Sequence, residues 1–531
     1  MDGKLELNPR ERPRKWSLKR LTASIFAIVC ATLYALDRRV VISIVSKHTT
    51  SVTPTQYKKC QPPLPTLLAG RPPTPDSPRF KTAIASLDSF LTTRAAASDI
   101  DSLSVSVVTP AGPLFERGYG LLKANDTTST ETVTRDSAYR IASISKMFTV
   151  FETLILRDMG MLNWFLLPAA FQITVSLTSF TYRDDPVAKF LPNFTHPKEG
   201  WSSYLQGEYS ADKSPITLRQ LATHMSGLGR DYPPENFGDL WPLPLDEVER
   251  DDGKAGRTGT AEALLEAAMH YPLVAPQYTF PVYSNTGFDL LGLCNVAAFE
   301  MVTGRVNVTH HELLDEHIFQ PLGLTSSFYR IANASIATRV AIPSSDFEWA
   351  DMTYSPAYEP SGGQFSSLAD LGIVLRSFLS PNGEGILSPY VMREWLRPLH
   401  AWSDGFQEVG APWEIAKLPG TEERAYAKGG NLPGYHSQFV VVPQWSYGVV
   451  VLVTGEYADT TSLARTTMEL FQPAFDALLL TEVTAAYTGI WVGDGSVAIV
   501  LLKDGVLYLE SLIVRGKDVL EILQRAKPGE K

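Results

Sequence analysis

Cysteine is scarce in this chain: 531 residues carry three. Cys30 sits in an apolar run near the N-terminus, so a disulfide framework is excluded and at most one bridge, Cys60–Cys294, could form in an oxidising compartment. Excess positive charge is also lacking. The net charge is -10 and no extended basic face is evident, which removes nucleic acid from the expected partners. The nine histidines and the cysteines show no metal-ligand spacing, and no cofactor is expected. What remains is a globular composition, 44% hydrophobic and 20% charged, long enough for two or three domains around one large core.

Long apolar runs are few. Leu21–Leu36 is uncharged and follows a basic segment over residues 1–20. The run is short for a span but suits a signal-anchor, or a cleaved signal peptide, with the basic side cytoplasmic. Either reading sends the remainder into the secretory pathway, anchored or secreted, with membrane contact through this segment only. Asn125, Asn193, Asn307 and Asn333 each begin an acceptor sequon, and all four lie beyond the apolar run. A second uncharged stretch spans residues 159–182, but Asn163, Pro168 and Gln172 make it a poor span. Its centre, 164–182, reads as an atypical insertion.

Residues 37–78 form a spacer whose second half, "QPPLPTLLAGRPPTPDSP", is proline-rich and stiff. A folded domain over 79–480 opens with alternating residues about Pro110 and Pro113, which predicts a hairpin. A helix follows with Met147, Val150, Phe151 and Leu154 on one face. Capping signals at Thr217, Thr309 and Ser367 predict further helices, and "YHSQFVVVPQWSYGVVVLVTGEY" predicts two strands. Strands at both ends with helices between imply an α+β fold, an antiparallel sheet packed against helices. Residues 481–531 read as a small β segment with glycine turns, short for a complete domain.

Within this frame Ser143 stands three residues before Lys146 at a helix start. That spacing puts both side chains on one face, one turn apart, with free N–H groups nearby for an oxyanion. Ser210–Lys213 has the same spacing but runs into Ser214-Pro215, which breaks a helix. Taken alone, the spacing fits a capping serine beside a solvated lysine equally well. Tyr283-Ser-Asn285 is unique in the chain, whereas Lys-x-Gly recurs five times. Of these, Lys428 stands out because it precedes glycines that lead into the closing strands.

Taken in order, Ser143-x-x-Lys146, Tyr283-x-Asn285 and Lys428-x-Gly430 resemble the three active-site motifs of the serine β-lactamase-like superfamily. The pattern is most similar to class C β-lactamases, D-Ala-D-Ala carboxypeptidases and β-lactamase-fold esterases, and to secreted fungal proteins of this type. "ITLRQLATHMSGL", "FQPLGLTSSFY", "PSGGQFSSLADLG" and "GGNLPGYHS" extend the likeness from about Ser86 to Leu480. The resemblance implies a sheet flanked by helices with a mainly helical subdomain. It also implies an acyl-enzyme on Ser143, with Lys146 and Tyr283 handling its proton and Lys428 lowering the tyrosine pKa. Asn285 would orient a small-molecule acyl substrate, and Gly430 and Asn431 would lie at the oxyanion site. An ester or amide hydrolase, an acyltransferase and a non-catalytic binding protein are the readings left open. Gly429 replaces the Thr that many relatives carry in the third motif, which weakens recognition of a substrate carboxylate. His224 is expected to be a hydrogen-bonding residue at a helix end, and His436 to lie near the site without acting in it.

Overall fold

The computed structural model describes residues 57–59, 67–164, 184–195, 214–232, 259–380, 385–402, 404–418 and 423–525. They fall into two compact units, residues 63–482 and residues 1–62 with 483–531.

In the larger unit, helix α1 (Lys81–Ala95) precedes the hairpin of β1 (Ile100–Thr109) and β2 (Gly112–Gly120). Helices α2 (Ser145–Asp158), α3 (Leu218–Ala222), α4 (Asn285–Thr303) and α5 (Leu368–Leu379) form the middle. Strands β3 (His400–Ala401), β4 (Gln407–Val409), β5 (Glu414–Lys417) and β6 (Arg424–Leu432) follow. Then come β7 (Tyr435–Val442), β8 (Tyr447–Gly455) and helix α6 (Thr460–Tyr487). The eight strands make one antiparallel sheet in the order β2-β1-β8-β7-β6-β5-β4-β3, so its first and last strands in sequence, β1 and β8, lie side by side.

A strand covered on both faces must be apolar at nearly every position, and β8 is. Val449, Val451 and Val453 point to one side, where Leu103, Val105 and Val107 of β1 join Leu87 of α1 and Phe471 and Phe475 of α6. Val450 and Leu452 point to the other side, among Met147 and Phe151 of α2 and Leu371 and Leu375 of α5. The sheet is thus the middle of three layers.

Helix α2 departs from the one-faced expectation. All residues from Ser145 to Leu156 are buried. Its polar side chains find partners inside: Thr149 Oγ1 donates to the Pro360 carbonyl at 2.8 Å, and Glu152 pairs with His317 at 2.8 Å. A buried polar group without such a partner would cost about 1–3 kcal/mol.

The structure bears on three further expectations. The second half of the spacer is not free chain: Leu68, Ala69 and Pro73 are buried, and Thr109 Oγ1 bonds the Pro73 carbonyl. Cys294 is a free thiol buried in α4, so no bridge to Cys60 is present, and Cys60 itself lies outside the described residues. Burial pushes this thiol well above its ordinary range. Segment 165–183 lies outside the described residues, yet its flanks meet: Trp164 and Asp184 form an antiparallel bridge, and the Asp185 N–H bonds the Asn163 carbonyl at 3.0 Å.

The smaller unit is an antiparallel meander of strands Gly489–Gly493, Ser496–Lys503, Val506–Val514 and Lys517–Asp518. Tyr57–Lys59 adds a parallel strand to its first edge. Each hairpin turns on two residues of positive φ, among them Asp494-Gly495 and Asp504-Gly505, the pairing that tight hairpins of this twist require. Among the described residues no helix is long and apolar enough to cross a membrane, and residues 1–36 lie outside them.

Candidate active site

The chain enters the site along a short strand, Ala138–Arg140, paired with Phe365–Ser367. It then turns sharply. Ala142 adopts φ 48°, and Ala142–Ile144 form a 3-10 turn before α2. Ser143 lies in this turn and does not cap the helix, whose N-cap position is Ile144. Lys146, the second residue of α2, is completely buried, and its Nζ donates to Ser143 Oγ at 3.1 Å, to Asn285 Oδ1 at 2.6 Å and to the Ser361 carbonyl. Three acceptors match the three protons of an ammonium group.

The second motif is held by the loop that follows α3. His224 and Gly227 take positive φ there, and a Cβ on Gly227 would lie 2.0 Å from the Ala275 carbonyl oxygen. His224 accepts the Ser284 N–H on Nδ1 at 3.1 Å and stacks on Tyr283 with ring centroids 4.5 Å apart. The Arg230 carbonyl receives the Asn285 N–H at 2.7 Å, and Ser284 Oγ donates to the Gly229 carbonyl at 2.7 Å. Tyr283 thereby reaches Ser143, its Oη 2.7 Å from Oγ.

The third motif lies within β6 rather than before the strands. Lys428 is buried, and its Nζ contacts Glu414 Oε1 at 2.6 Å and the Gly429 carbonyl at 2.8 Å. Gly430 is obligatory on steric grounds. A Cβ there would meet the Ile141 carbonyl oxygen at 2.3 Å, Ser437 Oγ at 2.6 Å and the Ser143 nitrogen at 2.9 Å. Asn431 follows on the cleft wall, its Oδ1 bonded to His436 Nδ1 at 2.8 Å. Ser143, Asn285 and Asn431 line one cleft together with Asp231, Asp289 and Tyr354.

Charge sets the protonation states. Burial alone would raise the Tyr283 pKa, but the ammonium groups of Lys146 and Lys428 outweigh it and hold the phenol below its ordinary value. Both Nζ atoms stand close to the ring, at 5.1 and 5.3 Å from its centroid. Burial and the neighbouring Lys428 lower the Lys146 pKa, opposed by Tyr283. Burial also acts on Lys428, yet Glu414 and Tyr283 more than compensate and keep it charged. His224 is driven well below its usual range by burial and by the surrounding cations, and is therefore neutral.

All seven predicted residues thus converge: Ser143, Lys146, Tyr283, Asn285, Lys428, Gly430 and Asn431. Ser210 and Lys213 lie outside the described residues. The four sequon asparagines are exposed. Sequence reasoning missed Ser361, Glu414 and Asp231, each of which touches a motif residue. Only the serine-glycine-glycine run at 361–363 carried a signal for any of them.

A helix-flanked antiparallel sheet with a serine, a lysine and a tyrosine in mutual contact defines the β-lactamase/transpeptidase class of fold, whose members are in general serine hydrolases. The β-lactamase family profile matches residues 87–470, and the chain belongs to that family. It is 37% identical over 249 residues to β-lactamase-like protein str5 of Strobilurus tenacellus, covering 45% of this chain and 80% of that protein. It is 26% identical over 415 residues to β-lactamase-like protein 2 of Dictyostelium discoideum, covering 76% of this chain and 65% of that one. The fold is similar to the crystal structure of a β-lactamase/D-alanine carboxypeptidase from Yersinia pestis, with TM-score 0.52 and 22% identity over 75% of this chain and 99% of that one. It is likewise similar to a class C β-lactamase from Rhodobacter sphaeroides, with TM-score 0.51 and 19% identity over 74% of this chain and 99% of that one.

Proposed function

We propose that the chain is a hydrolase that works through an acyl-enzyme on Ser143, acting on a small ester or amide. The observation that carries this reading is the contact of Ser143 Oγ with both Tyr283 Oη at 2.7 Å and Lys146 Nζ at 3.1 Å. Lys146 has its three protons placed on acceptors, which leaves Tyr283, held between two cations, to take the serine proton. Ser143 then attacks the acyl carbonyl, and the backbone N–H groups of Ser143 and Asn431 receive the oxyanion. Tyr283 passes its proton to the leaving group, and later draws one from water to release the acid. Lys428 acts by keeping the phenolate accessible. Its ammonium already carries Glu414, and Gly429 offers no hydroxyl, so the reading favours substrates without a carboxylate beside the reacting bond.

The full chain treated with p-nitrophenyl acetate tests this. Intact mass is expected to show an acetyl adduct that Ser143→Ala abolishes, and turnover of this ester is expected to exceed that of the carboxylate-bearing β-lactam nitrocefin. A folded wild-type sample without adduct sinks the proposal.

We also propose that the catalytic unit lies in the secretory pathway. The exposure of Asn125, Asn193, Asn307 and Asn333 supports this, since a glycan attaches only where the amide reaches solvent.

A further inference from the structure

We propose that Asp231 is a positioning residue that fixes the Asn285 amide in the one orientation that serves Lys146. The inference rests on the reading of Ser143 as nucleophile given above.

An asparagine side chain carries an acceptor at one end and two donors at the other, in nearly the same shape. Which end faces Lys146 decides whether the ammonium meets an oxygen or an NH2 group. Here Asn285 Oδ1 receives Lys146 Nζ at 2.6 Å, while Asn285 Nδ2 donates to Asp231 Oδ1 at 2.6 Å. A carboxylate only accepts, so it admits only this orientation. Turned over, the amide would set NH2 against an ammonium and a carbonyl oxygen against a carboxylate. Two charge-assisted bonds would become two repulsions. The contact with Asp231 also polarises the amide, making its oxygen a stronger acceptor for Lys146.

The backbone ties Asp231 to this task. The preceding carbonyl, that of Arg230, receives the N–H groups of Asn285 at 2.7 Å and Thr286 at 3.2 Å, so the loop is tied by two hydrogen bonds to the start of α4. The other oxygen of Asp231 faces Arg230 Nε at 3.3 Å. Lys146 itself is faced by Tyr283 and Asp289 on and beside α4, by Lys428 on β6, and by His224 and the Asn285–Asp231 pair from the loop side. Asp231 is the carboxylate that reaches it through a hydrogen-bonded amide.

The test uses the full chain and p-nitrophenyl acetate, with Ser143 acylation followed before steady state and melting recorded for every variant. Asp231→Ala is expected to lower the acylation rate about 30-fold or more, with KM for this small ester changed less than about threefold. Asp231→Asn keeps an oxygen against Asn285 Nδ2 but removes the charge. It is expected to stay within about fivefold in rate while its basic limb, where Lys146 loses its proton, moves down by about half a pH unit or more. Unchanged rate and limb in both variants overturn the proposal. So does a rate loss with an unmoved basic limb in Asp231→Asn, which would mark a merely structural role. If Asp231→Ala does not fold, the limb of Asp231→Asn decides alone. A folded wild type with no Ser143 adduct fails the proposed function itself, and this inference falls with it.

Discussion

At the scale of single residues, the site is a problem in sharing one proton among buried groups. Tyr283 would be a poor base at the ordinary phenol pKa of about 10. Two ammonium groups beside its ring change that, and only one of them, Lys146, also touches the serine. Lys428 therefore offers a way to alter the proposed base, Tyr283, without touching Ser143. In Lys428→Met the phenolate loses a cation, so the Tyr283 pKa rises toward and beyond its ordinary value. Activity that depends on the phenolate appears only above that pKa, so the acid limb of the pH–rate profile is expected to move up by about one unit or more. A limb that stays in place in a folded variant would refute the tyrosine as base. The seven site residues were legible because three short motifs carry six of them and Asn431 directly follows the third. Asp231 was not legible: its partner Asn285 is 54 positions away, and nothing local distinguishes that aspartate from a loop carboxylate.

At the scale of elements, local signals read well where the element satisfies itself. The capping boxes at Thr217 and Thr309 form as their spacing requires, and the hairpin at Pro110–Pro113 closes as β1 and β2. Elements defined by distant burial did not. Helix α6 escaped notice because its apolar contacts, Phe471 and Phe475, answer to α1 and β8 rather than to its own periodicity, and Cys294 carries no sign of being walled into α4. The bridge between Trp164 and Asp184 holds the two flanks of segment 165–183 side by side, so a short turn can join them. Replacing it with a two-residue Asn-Gly turn shortens the loop nearly tenfold, which lowers the closure cost by about 2 kcal/mol. The shortened chain is expected to melt no lower than the parent and to keep Ser143 labelling; failure to fold would show that the segment is structural.

At the scale of the whole molecule, the two units differ in how far sequence could describe them. The meander of 489–518 was visible in its glycine turns, but its parallel partner, Tyr57–Lys59, comes from the far end of the chain, where three residues carry no strand signal. The exposed sequons make a prediction about the entire product. Expressed in a eukaryotic secretory host, the protein is expected to lose mass on treatment with an N-glycosidase, with deamidation at Asn125, Asn193, Asn307 or Asn333; an unchanged mass would contradict secretory placement.

Ser143 and Tyr283, in hydrogen-bond contact, are 140 residues apart, and Lys146 and Asn285 are 139 apart. No segment of the chain brings them together without the tertiary fold. Under the proposed acyl-enzyme mechanism, an acylating reporter would therefore be a census of native molecules in a crude mixture, blind to collapsed, truncated or misassembled chains. Its fading on warming would trace the melting of the cleft alone, without purification and without knowing the natural substrate.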